Sequence, residues 1–120
     1  MMKHPRVRKL KDFDRAVYDI VRTIPPGRVM TYGMVADSLG SKHLARAVGK
    51  ALSRNPKPVS VPCHRVVRSN GRIGGYSHPL GIERKISLLS SEGVVVRAGR
   101  IDLNRYLAKQ RSGSGRIRST

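Results

Sequence analysis

The sequence is poor in cysteine, in aromatic residues and in long apolar runs. It holds one cysteine, no tryptophan, four tyrosines and one phenylalanine in 120 residues. A single cysteine excludes an internal disulfide and fits a reducing compartment. One cysteine and four scattered histidines also lack the spacing of zinc ligands, so no metal site is expected. No apolar run approaches the roughly 20 residues of a membrane span, and the N-terminus does not resemble a secretory signal.

Acidic residues are scarce as well. Seven aspartates and glutamates stand against 25 lysines and arginines, for a formal net charge of +18. That excess is larger than solubility requires, and a polyanion is its natural partner. A solvated, self-repelling surface or an RNA-packing role would also fit the charge. Charge alone separates neither DNA from RNA nor binding from catalysis.

The length suits one compact domain. Residues 1–11 and 108–120 are basic at the two ends, and we expect both to be flexible arms that add affinity for phosphate. The folded domain is expected over residues 12–107. The pattern between the arms is mostly helical and contains little sheet.

The first half of this domain predicts three helices. Asp12 can cap a helix that runs to about Thr23, and Pro25-Pro26-Gly27 follows it. Thr31 can cap a second helix, and Ser41 can cap a third over about residues 42–53. Two short helices joined by a glycine-containing turn form a helix-turn-helix pattern over about residues 31–53. An ordinary helical hairpin with a solvated basic face would show the same pattern.

The second half predicts one long helix and short irregular segments. Pro79 can open the helix, with Ile82, Ile86 and Leu89 on one apolar face. The β-branched residues 94–96 predict a short strand. Residues 99–106 predict a turn followed by a short helix.

Cys63 lies in an unusual setting, between a proline and a histidine inside the apolar run VPCHRVV. A thiol becomes a strong nucleophile as its thiolate, and an adjacent base favours that form. His64 can serve as the base, directly or through one water, and a carboxylate elsewhere would orient its ring. Glu92 lies at the end of the last long helix. A buried, inert cysteine is the alternative, and the chemistry of the residues alone leaves both open.

Several segments resemble one protein family in the same order along the chain: IPPGRVMTYG, ARAVGKAL, NPKPVSVPCHRVV, NGRIGGYS and ERKISLLSSEG. The family is the O6-alkylguanine-DNA alkyltransferases, also called methylated-DNA–protein-cysteine methyltransferases. PCHRVV resembles its active-site motif, and ARAVGKAL resembles its recognition helix. The similarity covers about residues 12–107. It implies a mainly α, winged helix-turn-helix-like alkyltransferase C-terminal domain with little β-structure.

The resemblance implies a catalytic set of three residues. Cys63 corresponds to the acceptor of the alkyl group, in a reaction that each molecule performs once. His64 corresponds to the residue that deprotonates the thiol through a water, and Glu92 to the carboxylate that polarises the histidine. The implied substrate is O6-alkylguanine, with O4-alkylthymine as a further possibility. No cofactor or metal is implied.

The resemblance also implies how DNA is held. Arg46 corresponds to the arginine that fills the gap left by the flipped nucleotide. Tyr32 corresponds to the tyrosine at the flipped guanine and its 3′ phosphate. The lesion-pocket loop is matched by Tyr76 and Ser77, and the guanine amino group is matched to the carbonyls of Cys63 and Val66. Asn55 corresponds to a hinge asparagine. The partner is double-stranded DNA bound through its minor groove by a monomer, without membrane contact.

Some features depart from the family pattern. The N-terminal domain of many members has no counterpart in this sequence, so the zinc bound there in some is not expected. The loop reads YSHPL where a glycine-rich stretch is more usual, which leaves lesion size open. The segment GRIDLNRYL resembles alkyltransferase-like proteins, which bind the same lesions without a reactive cysteine. A non-enzymatic lesion sensor is therefore the alternative function. We expect a cytoplasmic, nucleoid-associated protein, or a nuclear one in a eukaryote.

Overall fold

The computed structural model describes residues 5–57, 59–74 and 81–108, with side chains from residue 11 onward. Most of the described residues that belong to regular structure are helical, as predicted, and the one sheet among them has two short strands. The elements are α1 (Pro5–Val21), β1 (Met30–Thr31), α2 (Tyr32–Ser38), a 3₁₀ turn (Lys42–Leu44), α3 (Ala45–Ser53), a second 3₁₀ turn (Cys63–Arg65), β2 (Val66–Val67), α4 (Gly81–Ser91) and α5 (Leu103–Tyr106).

The first helix begins earlier than the sequence pattern predicted. It starts at Pro5 rather than after Asp12, so residues 5–11 are helical. Proline suits the first turn because its fixed φ is helical and its missing N–H is not needed there. The helix ends at Val21, two residues before the predicted Thr23.

The predicted helix-turn-helix caps are confirmed. Thr31 caps α2, and its hydroxyl accepts a hydrogen bond from the Met34 N–H at 3.0 Å. Ser41 likewise accepts from the His43 N–H at 3.1 Å. The third helix differs in its first turn, because Lys42–Leu44 winds as a 3₁₀ helix before α3 continues to Ser53.

A parallel pair of strands separates two apolar clusters. Met30 is paired with Val66, and Thr31 with Val67. Because side chains alternate between the faces of a strand, Met30 and Val66 pack in one cluster while Val29 and Val67 pack in the other. The first cluster also contains residues of α1, α2 and α3: Val17, Val21, Val35, Ala36, Val48, Ala51 and Leu52. The second also contains Ile73, Leu89, Val94, Ile101 and Tyr106.

The C-terminal half differs from the sequence prediction in three places. Ile82, predicted to lie on the apolar face, is 48% exposed. Lys85 is buried instead, with no exposed surface. Residues 94–96 form no strand, because no segment within the described ranges pairs with them. Ala108, predicted to begin the tail, donates its N–H to the Val29 carbonyl at 2.8 Å. The predicted helix start at Pro79 and the rest of the tail lie outside the described residues.

Candidate functional site

Cys63 lies in the 3₁₀ turn that leads into β2, at the boundary between the two clusters. Its side chain is buried, with 5% of the residue exposed. The Asn55 amide Nδ2 donates to the Cys63 sulfur at 3.3 Å and to the Val61 carbonyl at 3.0 Å, while its Oδ1 accepts from the Lys57 N–H at 2.9 Å. Asn55 thus joins the end of α3 to the cysteine segment. A hydrogen bond to sulfur is stronger when the sulfur carries the charge.

His64 is oriented by Glu92. Its Nε2 lies 3.0 Å from a Glu92 carboxylate oxygen, and the ring has no exposed surface. The carboxylate can only accept here, so Nε2 carries the proton and Nδ1 presents a lone pair. Nδ1 is buried and has no hydrogen-bond partner within the described part of the chain. Burial lowers the pKa of His64 below 6.5 despite the opposing effect of Glu92, so the imidazole is neutral at neutral pH.

Glu92 is held by a second partner that sequence analysis missed. The Arg65 guanidinium donates to both carboxylate oxygens, from Nε at 2.9 Å and from Nη2 at 2.6 Å. Its Nη1 donates to the Ile24 carbonyl at 2.9 Å. Burial by itself would raise the pKa of Glu92, but hydrogen bonds from Arg65 and His64 hold it below 4.5 overall. The carboxylate is therefore ionised at neutral pH, where His64 is neutral.

Lys85 is the second residue that sequence analysis missed. It is fully buried, and its Nζ donates to the Val66 carbonyl at 2.8 Å. Burial lowers its pKa from 10.5 to about 8, while the nearby Cys63 opposes that shift. The sequence did contain a signal for a buried lysine, because Lys85 lies on the same side of the helix as the apolar stripe of Ile82, Ile86 and Leu89. A carbonyl oxygen has two lone pairs, so Val66 keeps one for another donor.

Tyr32 connects the cysteine region to α3. Its ring lies 6.0 Å from the Lys85 ammonium, and a Cβ placed on Gly49 of α3 would be 4.0 Å from it. A Cβ on Gly74 would come within 3.3 Å of the Tyr32 hydroxyl, and the φ of +73° at Gly74 also favours glycine there. Burial raises the pKa of Tyr32, and the nearby Cys63 adds to that effect.

The structure brings six of the predicted site residues together: Asn55, Cys63, His64, Val66 and Glu92, with Tyr32 beside them. Arg46 is elsewhere, on the exposed face of α3 together with Lys50. It forms no ion pair with any described residue. Tyr76 and Ser77 lie outside the described residues.

The described ranges contain neither a cluster of metal-ligating side chains nor a membrane-spanning helix. No three histidine, cysteine, aspartate or glutamate side chains there are grouped as metal ligands would be. None of the helices in that part of the chain has both the length and the apolar character needed to cross a membrane.

A family model matches most of the chain, including Cys63, His64 and Glu92. Residues 12–94 match the model described as "6-O-methylguanine DNA methyltransferase, DNA binding domain". The chain belongs to this family. Both the match and the fold confirm the resemblance inferred from the sequence.

Members of the 6-O-methylguanine DNA methyltransferase family resemble the chain in sequence. The methylated-DNA–protein-cysteine methyltransferase of Shigella flexneri is 48% identical over 84 residues, which are 70% of this chain and 48% of that protein. The protein of the same name from Saccharolobus islandicus is 47% identical over 95 residues, which are 79% and 60% of the two chains. The chain thus spans only part of these curated relatives.

Solved structures resemble the fold. Atl1 of S. pombe, in complex with damaged DNA containing O6-carboxymethylguanine, has a TM-score of 0.75 and 32% identity, covering 91% of this chain and 100% of Atl1. Mycobacterium tuberculosis OGT in complex with DNA has a TM-score of 0.65 and 44% identity, covering 68% and 49%. The relatives thus include named methyltransferases and Atl1, and they leave transfer and binding without transfer as separate questions.

Proposed function

We propose that the chain repairs DNA by taking the alkyl group of O6-alkylguanine onto Cys63, once per molecule. The observation that carries the proposal is the arrangement around the sulfur. Cys63 is followed by a neutral histidine, His64. Glu92 fixes its Nε2, and its Nδ1 has a lone pair that can accept a proton. This is the nucleophile, base and orienting carboxylate of covalent catalysis.

The transfer step balances without a cofactor. The thiol proton passes through one water to Nδ1 of His64, and the sulfur supplies the electron pair for a new S–C bond. The O6–C bond breaks as the guanine anion leaves, and guanine takes up one proton. The products are a thioether on Cys63 and unmodified guanine. A thioether has no ready leaving group, so the protein is consumed.

The lesion must leave the duplex before the buried sulfur can reach it. Extruding a nucleotide costs a few kcal/mol, which an inserted side chain can offset by holding the stack open. We assign that role to Arg46, which is exposed on α3 and unpaired among the described residues. Tyr32 would contact the flipped guanine, and the Cys63 and Val66 carbonyls would accept from its amino group. The loop with Tyr76 and Ser77 would complete the pocket, with Ser77 donating to O6.

The net charge of +18 supports DNA as the partner. Phosphate contacts carry no base sequence, which suits a protein that searches for rare lesions. We propose that a monomer binds the minor groove and resides with the DNA. O4-alkylthymine is a further candidate substrate at the same sulfur.

A lesion sensor without transfer is the second candidate. The favouring observation is the similarity to Atl1 over 91% of this chain and all of that protein. The retained Cys63 beside the His64–Glu92 pair favours transfer, because a sensor needs no activated nucleophile.

One experiment separates the two functions. The protein is incubated with duplex DNA containing O6-methylguanine, and its intact mass and its affinity for the duplex are measured. Transfer predicts a mass gain of one methyl group in the wild type and none in Cys63→Ser, which keeps its affinity. Tight binding without any mass gain in the wild type would establish the sensor instead. A duplex with O4-methylthymine tests the second substrate in the same way.

A further inference from the structure

An arginine-lined cleft lies in the half of the molecule that contains the second cluster. Its volume is about 330 Å³, and Tyr106 and Val95 form its apolar part. The remaining lining residues are charged: Arg97, Arg100, Asp102 and Arg105. None of the functions proposed above uses this cleft, since the helix-turn-helix and Cys63 pack in the first cluster.

Among the described residues, no ion pair neutralises the arginines of the cleft. None of its three guanidiniums forms a salt bridge or a hydrogen bond to any described residue; Arg105 lies 5.6 Å from the Tyr106 ring centroid. Asp102 caps α5 by accepting from the Asn104 N–H at 3.0 Å. The lining therefore has three positive groups and one negative carboxylate, which leaves a net positive charge.

A tight hairpin holds two of these arginines side by side. Arg97 and Arg100 exchange both backbone hydrogen bonds, at 2.8 and 3.0 Å. Ala98 and Gly99 between them have φ of 51° and 75°, as in the type I′ turn that favours short hairpins. The conformation is therefore fixed by the backbone, and the two side chains leave the same face of the ladder.

A third arginine extends the row. Arg72 is bridged to Arg100 on its other side. The flanking bonds, Ile73 N–H to the Gly99 carbonyl and Ile101 N–H to the Gly71 carbonyl, make this a non-hydrogen-bonded pair, in which side chains are closest. Like charges directly opposite each other destabilise a ladder. Three adjacent arginines that form no ion pair within the described ranges are thus a cost that a bound anion would lower.

We propose that the face formed by Arg72, Arg97, Arg100 and Arg105 is a second binding surface for the phosphodiester backbone of DNA. Guanidinium groups suit phosphate because they donate in a planar fork. Several of them in one row suit successive phosphates better than a single small anion. The surface lies outside the helix-turn-helix, so it would contact a different stretch of backbone. The inference rests on the proposed binding of duplex DNA through α3.

The test is the salt dependence of binding to undamaged duplex. The double variant Arg97→Gln/Arg100→Gln removes two charges from the row. Its matched control, Arg15→Gln/Arg22→Gln, removes two charges from exposed positions in α1 and directly after it. Each lost phosphate contact should reduce the log–log slope of affinity against salt by about 0.9. We expect the double variant to lose roughly 1 to 2 in slope, and the control to lose less than half as much.

Two further measurements keep the outcome decisive. Thermal unfolding of the free protein at low salt should show the double variant more stable than the wild type, because like charges are removed. Methyl transfer at saturating duplex should be unchanged. Protein-dependent energy transfer between two labelled duplexes would mean that the surface holds a second DNA segment; its absence, with the slope reduced, would mean flanking backbone of the same duplex.

Failure of the second surface can be distinguished from failure of the proposed repair function. A double variant whose slope equals the wild type's, or falls only as the control's does, overturns the second surface and leaves the proposed repair function intact. A wild-type protein with no affinity for duplex DNA overturns both.

Discussion

At the residue scale, the chemistry depends on which groups hold protons. The pKa of His64 lies below 6.5, so the base is ready at neutral pH and is lost as the pH falls through that pKa. The single-turnover rate should therefore be level near neutrality and decline in acid. Because His64 is buried in its neutral form, the fold becomes less stable as the pH falls below 6.5. In that range the unfolded chain binds the proton of His64 more readily than the folded protein does.

Replacing Glu92 by glutamine tests its action through His64. Glu92 favours the protonated imidazole, so Glu92→Gln should lower the pKa of His64 further and weaken the base. We expect the rate to fall by up to about 100-fold and its acidic limb to move to lower pH. Glu83→Gln, an exposed glutamate in the first turn of α4, is the matched control. A slower rate with an unmoved limb would mean that Glu92 acts only on structure.

Lys85 gives a pH dependence of the opposite kind. In the folded protein it loses its proton at about pH 8, whereas the unfolded chain keeps it to about 10.5. Because the unfolded state binds more protons between these values, this residue makes the fold more stable as the pH rises. Chemical denaturation from pH 7 to 10 should show wild type gaining up to about 3 kcal/mol relative to Lys85→Met. A constant difference between the two proteins would contradict the buried ammonium.

At the element scale, local signals were sufficient where the structure is local. The caps at Thr31 and Ser41 were predicted because a cap involves a side chain and an N–H two or three residues away. The start of α1 was not, because Pro5 and Asp12 are both good starts and the sequence does not rank them. Residues 94–96 have strand propensity, but a strand also needs a partner.

The site follows the same rule. Cys63 and His64 are adjacent in the chain, so both could be proposed as candidate site residues from sequence. Glu92 was identified through family resemblance. Arg65 and Lys85 act on groups 27 and 19 residues away, and only the packing of α4 against the cysteine turn brings those groups together.

The exposed face of α3 can be tested through Arg46. Arg46→Ala should slow repair in duplex DNA far more than reaction with free O6-benzylguanine, which needs no extrusion. The loss reflects an unstacking cost of a few kcal/mol that is no longer offset. Lys50→Ala is the control, since Lys50 is exposed on the same helix. Rates are measured at saturating duplex, where weaker binding no longer matters, and an Arg46→Ala rate equal to wild type would remove Arg46 from the flipping step.

At the scale of the whole molecule, the Cys63–Arg65 turn also joins the two clusters. Arg65 reaches the Ile24 carbonyl on the side of the first cluster, and Glu92 lies between Leu89 and Val94 of the second. The β1–β2 pair makes the other connection. The geometry of His64 therefore depends on both clusters being folded together.

Arg65→Met tests this connection. It removes a guanidinium that is 13% exposed and leaves the carboxylate of Glu92, 14% exposed, with His64 alone. Breaking such a pair from one side should cost about 2–4 kcal/mol of unfolding free energy. Arg54→Met is the control, because Arg54 also binds a carboxylate, Asp14, through two hydrogen bonds but is 44% exposed. Its loss should cost about 1 kcal/mol or less.

The pH dependence shows whether the cost of Arg65→Met is electrostatic. Arg65 holds the pKa of Glu92 below 4.5, so its contribution is complete above that pH and disappears as the pH falls through the folded pKa. Urea denaturation should therefore show the gap between wild type and Arg65→Met closing in acid while the Arg54→Met gap stays small throughout. Equal losses for the two variants at neutral pH would mean that the Arg65–Glu92 pair does not connect the clusters. A lower m-value in Arg65→Met alone would show instead that the clusters, once disconnected, no longer unfold as one unit.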